Sequence, residues 1–237
     1  MVTEAIILAG GLGTRLRSVV PDLPKAMVPV GGQPFLSYLL RHLEENGVLR
    51  VVLAVGYRRQ AIQDFFGSKY GALQIEYSVE QEPLGTGGGL LQALAYINGP
   101  FAFVVNGDTF LRLDYRAMAL MLDRSEHIDL VVALRAVADA SRYGRAVVAA
   151  GRIQGFTAGG TPGPGLINAG CYLVSRSIFN RYPMPAKFSW EHDFLEAQTA
   201  EVRPVAFPCD APFIDIGVPE ALEQAQTLIP AWVNANA

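Results

Sequence analysis

The sequence predicts an α/β fold, with a mostly parallel central sheet and helices on both of its faces. Three observations predict it. Wholly apolar runs recur at Ala5–Ala9, Val51–Tyr57 and Phe101–Asp108, too short for helices and without the alternation of a half-wetted strand, so each reads as a strand buried on both sides. Segments with helical spacing separate these runs, the pattern of strand–helix–strand units. Gly- or Asp-bearing turns, "LAGGLG" and "NGD", follow two of the runs, at the carboxyl strand ends where such sheets bind ligands.

The elements follow in order. After the first strand, "PFLSYLLRHLEENG" places Phe35, Leu36, Leu39, Leu40 and Leu43 on one helical face, with His42 on the polar side and Gly47 as the stop. After the strand at Val51–Tyr57, Arg58–Phe66 fits a short helix and Leu73–Val79 alternates like a strand. A helix is expected from about Thr86 to Ile97, with Thr86 a candidate cap, then the third apolar strand. Asp114 is placed to cap a helix running to about Ser125. "DLVVALRAV" and "YGRAVVAAGRIQGF" read as strands joined by turns. The Gly/Pro-rich Thr157–Gly165 reads as a surface loop, because the strand "LINAGCYLVS" resumes at once. A helix near Trp190–Ala200, a strand "VRPVAF" and a helix from Pro219 to about Leu228 complete the chain, read as a single domain over residues 1–237.

Composition narrows the function classes. With 237 residues and 51% hydrophobic side chains the chain can bury a large core. A net charge of −3 with interspersed signs argues against nucleic acid or an anionic membrane as partner, so a polyanionic ligand must be held by a few local cations. Cys171 and Cys209 have no metal-ligand spacing and read as buried thiols. The start "MVTEAIILAGG" lacks a signal-peptide pattern and no run approaches the roughly 20 residues of a membrane span, so a cytoplasmic location is expected. The oligomeric state is open, a homo-oligomer included.

"LAGGLGTRL" is a phosphate-loop candidate. The dinucleotide fingerprint fails because Leu16 stands where its last glycine is needed, and Gly13-Thr14-Arg15 is no Walker loop. What remains is Gly10-Gly11-x-Gly13-Thr14-Arg15, where glycines let backbone N–H groups approach phosphate oxygens and Arg15 adds a fork of donors. Downstream, Lys25 sits in a loop stiffened by Pro21, Pro24 and Pro29, which can aim one ammonium into the same crevice.

Together "LAGGLGTRL" and "PKAMVPVGGQPFLSYLL" resemble the signature of the sugar-1-phosphate nucleotidyltransferases. "PLGTGGGLLQAL", "FVVNGDTF", "LINAGCYLVS" and "FIDIGVPEAL" match that family in order, so the resemblance spans about Ala5–Ala225. "RSVVPDLPK", "EPLGTGGG" and "FSWEHDFLE" are most similar to the D-glycero-D-manno-heptose 1-phosphate guanylyltransferases. The resemblance implies a Rossmann-like three-layer α/β/α sandwich of the nucleotide-diphospho-sugar transferase type. It implies transfer of a nucleotidyl group from an NTP to a sugar 1-phosphate with release of pyrophosphate. Such chemistry rests on positioning and charge neutralisation, with Mg²⁺ held by one or two carboxylates.

Carried onto this sequence, the resemblance implies that Arg15 stabilises the leaving pyrophosphate, Lys25 bridges the α-phosphate and the incoming sugar phosphate, and Asp108 and Asp215 hold the metal. Leu8, Gly10, Gly11, Gly13, Thr14, Glu80, Gly85 and Thr86 are the nucleotide-binding candidates. A carboxylate only accepts hydrogen bonds, and guanine offers adjacent N1–H and N2–H₂ donors, so Glu80 leans towards GTP. Asn106, Tyr143, Gly144, Asn168, Lys187, Glu191 and Asp193 are the sugar-phosphate candidates, with Asp193 alternatively holding its own helix and His192 a bystander. No Ser or Cys stands in an activated setting, which favours direct displacement.

Two departures stand out. Ala26 replaces the family's usual proline after the loop lysine, and Thr157-Ala158 stand where many members carry a Glu-Lys pair. Lys187 and Arg142 are the cations placed to substitute for that lysine. Two other readings stay open: a uridylyl- or thymidylyltransferase on another sugar 1-phosphate, and a nucleotide-sugar-binding regulator without turnover.

Overall fold

The computed structural model describes residues 1–11, 23–123 and 127–234. In chain order the first half contains β1 (Glu4–Leu8), the hairpin β2 (Pro29–Val30) and β3 (Gln33–Pro34), α1 (Phe35–Glu45), β4 (Arg50–Val55), α2 (Arg59–Phe66), β5 (Lys69–Tyr70), β6 (Leu73–Val79), α3 (Gly85–Leu94), β7 (Phe101–Asn106), β8 (Thr109–Leu111) and α4 (Tyr115–Ala119). The second half contains β9 (Leu130–Val137), β10 (Ala146–Ala149), β11 (Arg152–Phe156), β12 (Gly165–Ser175), α5 (Ile178–Arg181), a π-helix (Trp190–Glu196), α6 (Thr199–Val202), β13 (Val205–Cys209), β14 (Phe213–Asp215) and α7 (Pro219–Asn234).

The apolar runs are buried on both faces because successive side chains of a strand point to opposite sides. On β1, Ala5 and Ile7 enter one core while Ile6 enters the other; Val51, Leu53 and Val55 divide from Val52 and Ala54 in the same way on β4. The first core is closed by α1, α2, α4 and α7, and the second by α3, α5 and the π-helix. These are the helix layers on either side of one ten-stranded sheet, ordered β10-β11-β13-β9-β12-β7-β1-β4-β6-β5.

The sheet is mixed. β6, β4, β1 and β7 run parallel, as do β9 and β13, while β12 is antiparallel to both β7 and β9. From β1 the chain steps outward to β4 and β6, then returns to lay β7 on the other side of β1. That reversal opens a crevice beyond the carboxyl ends of β1 and β7, where Leu8 lies beside Asn106.

Several expectations are corrected. The final helix continues past Leu228 and through Pro230 to Asn234. Gln226 ties α7 to the β2–β3 hairpin, accepting from Gly31 N–H (3.0 Å) and donating to the Pro29 carbonyl (2.9 Å). That hairpin turns on Gly31 and Gly32, both at positive φ (53° and 82°), as a tight two-residue turn demands. Asp114 caps α4 through Ala117 N–H (2.9 Å), but the α-helix ends at Ala119 and a 3₁₀ turn follows to Asp123. Its expected end near Ser125 lies outside the described residues. His42 does not face solvent: its Nε2 meets the Leu113 carbonyl at 2.9 Å and its ring packs near Phe110 and Tyr115, burial lowering its pKa. Cys171 is buried and Cys209 half-buried, and neither forms a disulfide. Among the described residues no helix is long and apolar enough to cross a membrane.

Candidate active site

Two adjoining cavities occupy the crevice. One, of about 520 Å³, is lined by Leu8, Gly10, Gly11, Lys25, Glu80, Gly85, Thr86 and Gly89 among others. The second, of about 350 Å³, is lined by Arg142, Tyr143, Gly144, Thr157, Asn168, His192, Glu196 and Asp215 among others. Asn106, Asp108 and Glu191 line both, so the chambers meet at the end of β7. Gly13, Thr14 and Arg15 lie outside the described residues.

The junction is built from short strands that periodicity does not reveal. β8 and β14 pair antiparallel, with Asp215 opposite Thr109, and Ile216 N–H donates to the Asp108 carbonyl (3.0 Å), which draws the two aspartates together. Lys25 opens a 3₁₀ turn whose Ala26 and Met27 are buried, and its ammonium donates to Asp108 Oδ2 at 2.5 Å. The buried Ala26 takes the place of the family's proline inside that turn. Arg142 Nη2 donates to Asp215 Oδ2 (2.8 Å), while Gly217 N–H donates to Asp215 Oδ1 (2.7 Å). A Cβ on Gly217 would stand 2.7 Å from Asp215 Oδ1 and 3.0 Å from Lys25 Nζ, so any side chain there would push on the two charged groups.

In the larger chamber Glu80 follows β6 directly. Its Oε2 accepts from Leu84 N–H (3.0 Å), and its Oε1 lies where a Cβ on Gly10 (2.5 Å) or Gly89 (2.8 Å) would intrude. Half burial raises its pKa above the usual glutamate value. Gly85, at φ +75°, opens α3 and approaches the Phe188 carbonyl too closely for any side chain. Thr86 does not cap α3: the cap position is Leu84, without a side-chain bond, and Thr86 Oγ1 accepts Trp190 N–H (2.9 Å). The Phe188 carbonyl accepts Gly87 N–H (3.0 Å) and Gly88 N–H (3.4 Å), so backbone from the second half serves orphan donors of the helix.

In the smaller chamber a register shift in β12, between Asn168 and Tyr172, lets Gly170 turn at φ +68° and lifts Asn168 to the cavity wall. Glu191 Oε1 accepts from Asn106 Nδ2 (3.1 Å). Two candidates stand elsewhere. Lys187 is exposed and lines neither cavity, because the strap that carries it packs its backbone against α3. Asp193 also lines neither: its Oδ2 accepts Ser189 N–H (2.7 Å) while Ser189 Oγ accepts His192 N–H (3.2 Å), a reciprocal cap of the π-helix. Of the two substitute cations, Arg142 is the one at the cavity.

The nucleotidyl transferase family model matches residues 4–231. The chain belongs to the nucleotidyl transferase family. It is 40% identical over 234 residues to a D-glycero-alpha-D-manno-heptose 1-phosphate guanylyltransferase of Aneurinibacillus thermoaerophilus, covering 97% of this chain and 100% of that one. It is 39% identical to the Campylobacter jejuni protein of the same name, covering 92% and 96%. Among solved structures, HddC from Yersinia pseudotuberculosis superposes with a TM-score of 0.84 at 38% identity over 94% of this chain and 98% of that one. The same protein complexed with GMP-PN superposes with a TM-score of 0.82. Its fold is that of the nucleotide-diphospho-sugar transferases, as expected from the resemblance.

Within this nucleotidyl transferase, sequence reasoning missed three glycines: Gly89 and Gly217, which give charged groups room, and Gly107, which lets the chain after β7 pass close to the Leu8 carbonyl. Gly107 and Gly217 each lie within two residues of an identified aspartate, in "NGD" and "DIG", and that adjacency was the available signal. Trp190, Phe156 and Phe213 line the cavities too, without any local signal to separate them from core residues.

Proposed function

We propose that this nucleotidyl transferase is a guanylyltransferase that joins GTP to D-glycero-D-manno-heptose 1-phosphate, giving GDP-heptose and pyrophosphate. The observation that carries the reading is the junction itself: Lys25, Asp108 and Asp215 gather where a chamber lined by Glu80 meets one lined by Asn168 and Glu191. The names of the relatives at about 40% identity support the substrates.

In this reading the larger chamber takes the nucleotide, Glu80 accepting from the guanine N1–H and N2–H₂ edge. The smaller chamber takes the sugar, with Asn168 and Glu191 at ring hydroxyls and Arg142 near its phosphate. A sugar-phosphate oxygen forms the new bond to the α-phosphorus while the bond to the β-phosphate oxygen breaks. Lys25 screens the two phosphates from each other, and Arg15 draws on the leaving pyrophosphate.

The donor set fits Mg²⁺. Asp108 and Asp215 supply two hard carboxylates, and among the described residues no cluster of three or more His, Cys, Asp or Glu side chains offers a site for a softer ion. Bound there, Mg²⁺ would neutralise phosphate charge during displacement. A cytoplasmic place of action accords with GTP as substrate, and the sugar product with polysaccharide assembly.

The test is an activity grid: each NTP against heptose, mannose and glucose 1-phosphates with Mg²⁺, reading pyrophosphate. GTP with heptose 1-phosphate is expected to give the highest kcat/KM. Preference for UTP or dTTP would overturn the guanylyl reading, and binding without turnover would favour a regulator.

A further inference from the structure

Tyr172 lies beneath the sugar chamber. It is 0% exposed, lines neither cavity and packs edge-on against Trp190. Its hydroxyl is nonetheless tied to two groups that do line the chamber. It accepts from Asn168 Nδ2 (2.9 Å) and donates to Glu191 Oε1 (3.2 Å). Asn106 Nδ2 adds a second donor to that same Glu191 oxygen. Burial, then the nearby Glu191 charge, raise the phenol well above its ordinary pKa of 10.0, so it keeps its proton and stays a donor.

The bond directions determine what each group presents. Asn168 Oδ1 accepts Gly170 N–H (3.1 Å), which orients the amide, and one amide hydrogen goes to Tyr172. The second amide hydrogen is left for a ligand. Glu191 Oε1 receives both Tyr172 and Asn106, which leaves Oε2 as the acceptor towards the cavity. A sugar hydroxyl both donates and accepts, so a pair of neighbouring hydroxyls matches one fixed donor beside one fixed acceptor.

We propose that Tyr172 is a positioning residue for sugar recognition: it locks Asn168 as donor and Glu191 as acceptor for a pair of neighbouring hydroxyls, without touching the sugar itself. This rests on the smaller chamber being the sugar site. It adds a residue and a polarity to that assignment.

The test is Tyr172→Phe, which keeps every buried carbon atom and removes only the hydroxyl. KM for the sugar 1-phosphate should rise about tenfold, the scale of an unpaired buried polar group, while KM for GTP stays within about twofold. Glu191→Gln and the double variant complete a cycle: because Tyr172 acts in part through Glu191, the double variant should lose less than the two single losses combined. Equal rises in both KM values, or fully additive losses, would overturn the proposal. The wild-type enzyme is first assayed with GTP and heptose 1-phosphate. No turnover there refutes the substrate reading alone, and the cycle is then run on the sugar 1-phosphate that the wild type does use.

Discussion

Lys25 donates to Asp108 at 2.5 Å, across 83 positions of sequence, and this pair stands where the two chambers meet. A cation at that point acts on charge that develops between two phosphates, so its loss is felt in turnover. Lys25→Ala is expected to lower kcat by about 10²-fold or more. Arg15→Ala is expected to do the same, and steady-state kinetics of each variant checks it. Near-normal rates would remove that residue from the mechanism.

Asp108 and Asp215 are joined through paired strands and each holds one cation. Asp108→Asn and Asp215→Asn are each expected to abolish Mg²⁺-dependent turnover with the fold retained, as read by circular dichroism. Chelation with EDTA should abolish wild-type activity. Full activity in EDTA would sink the metal assignment.

Gly217→Ala isolates geometry from charge. The added methyl would press on Asp215 Oδ1 and Lys25 Nζ, both ends of movable side chains, so the protein should fold normally. Displacing two charged groups by a fraction of an ångström should cost at least about tenfold in kcat/KM. An unchanged rate beside an unchanged melting temperature would show that the two groups need no such precision.

Glu80 carries the pH prediction. Burial raises its pKa above 4.5, so as pH falls it protonates sooner than an ordinary glutamate and loses an acceptor lone pair. The acid limb of kcat/KM for GTP should therefore lie above the ordinary glutamate value and move to lower pH in Glu80→Gln. That variant should also lose about 5- to 150-fold in kcat/KM for GTP, from about 1–3 kcal/mol, and less for UTP. Equal losses for both nucleotides would mean that Glu80 does not read the base.

Gly87→Ala sets two effects against each other. Alanine gains up to about 1 kcal/mol of helix propensity over glycine. Its Cβ would stand 2.2 Å from a Phe188 ring carbon, and overpacking a buried ring costs about 1–3 kcal/mol. Net destabilisation is expected in urea unfolding; a stabilised variant would show that the Phe188 ring moves aside freely.

Much of the fold was legible because period and burial are local properties. The runs at Ala5–Ala9 and Phe101–Asp108 read as central strands because consecutive apolar side chains point to both faces of a sheet, and Ala5–Ile7 and Ala102–Val105 are buried on both. The helix ends were less legible. Pro230 signals a stop, yet α7 continues because Gln226 and the hairpin at Gly31 hold its flank. His42 reads as polar from its helix but is enclosed by Phe110 and Tyr115, residues that arrive from elsewhere in the chain.

The sequence by itself determined the strand ends that meet at the crevice, the family, and the charged residues Lys25, Asp108 and Asp215, because each is carried by a contiguous motif. Only the tertiary structure decided which of the neighbouring charged groups enter the site. Arg142 reaches Asp215, whereas Lys187 is exposed and stays outside, and Asp193 caps its own helix. The physical reason is that a side chain's direction follows from the packing and hydrogen bonds of its backbone. Beside Lys187, the backbone of Phe188 is bonded to Leu84, Gly87 and Gly88 at the start of α3, about a hundred residues earlier, where no local pattern can show them.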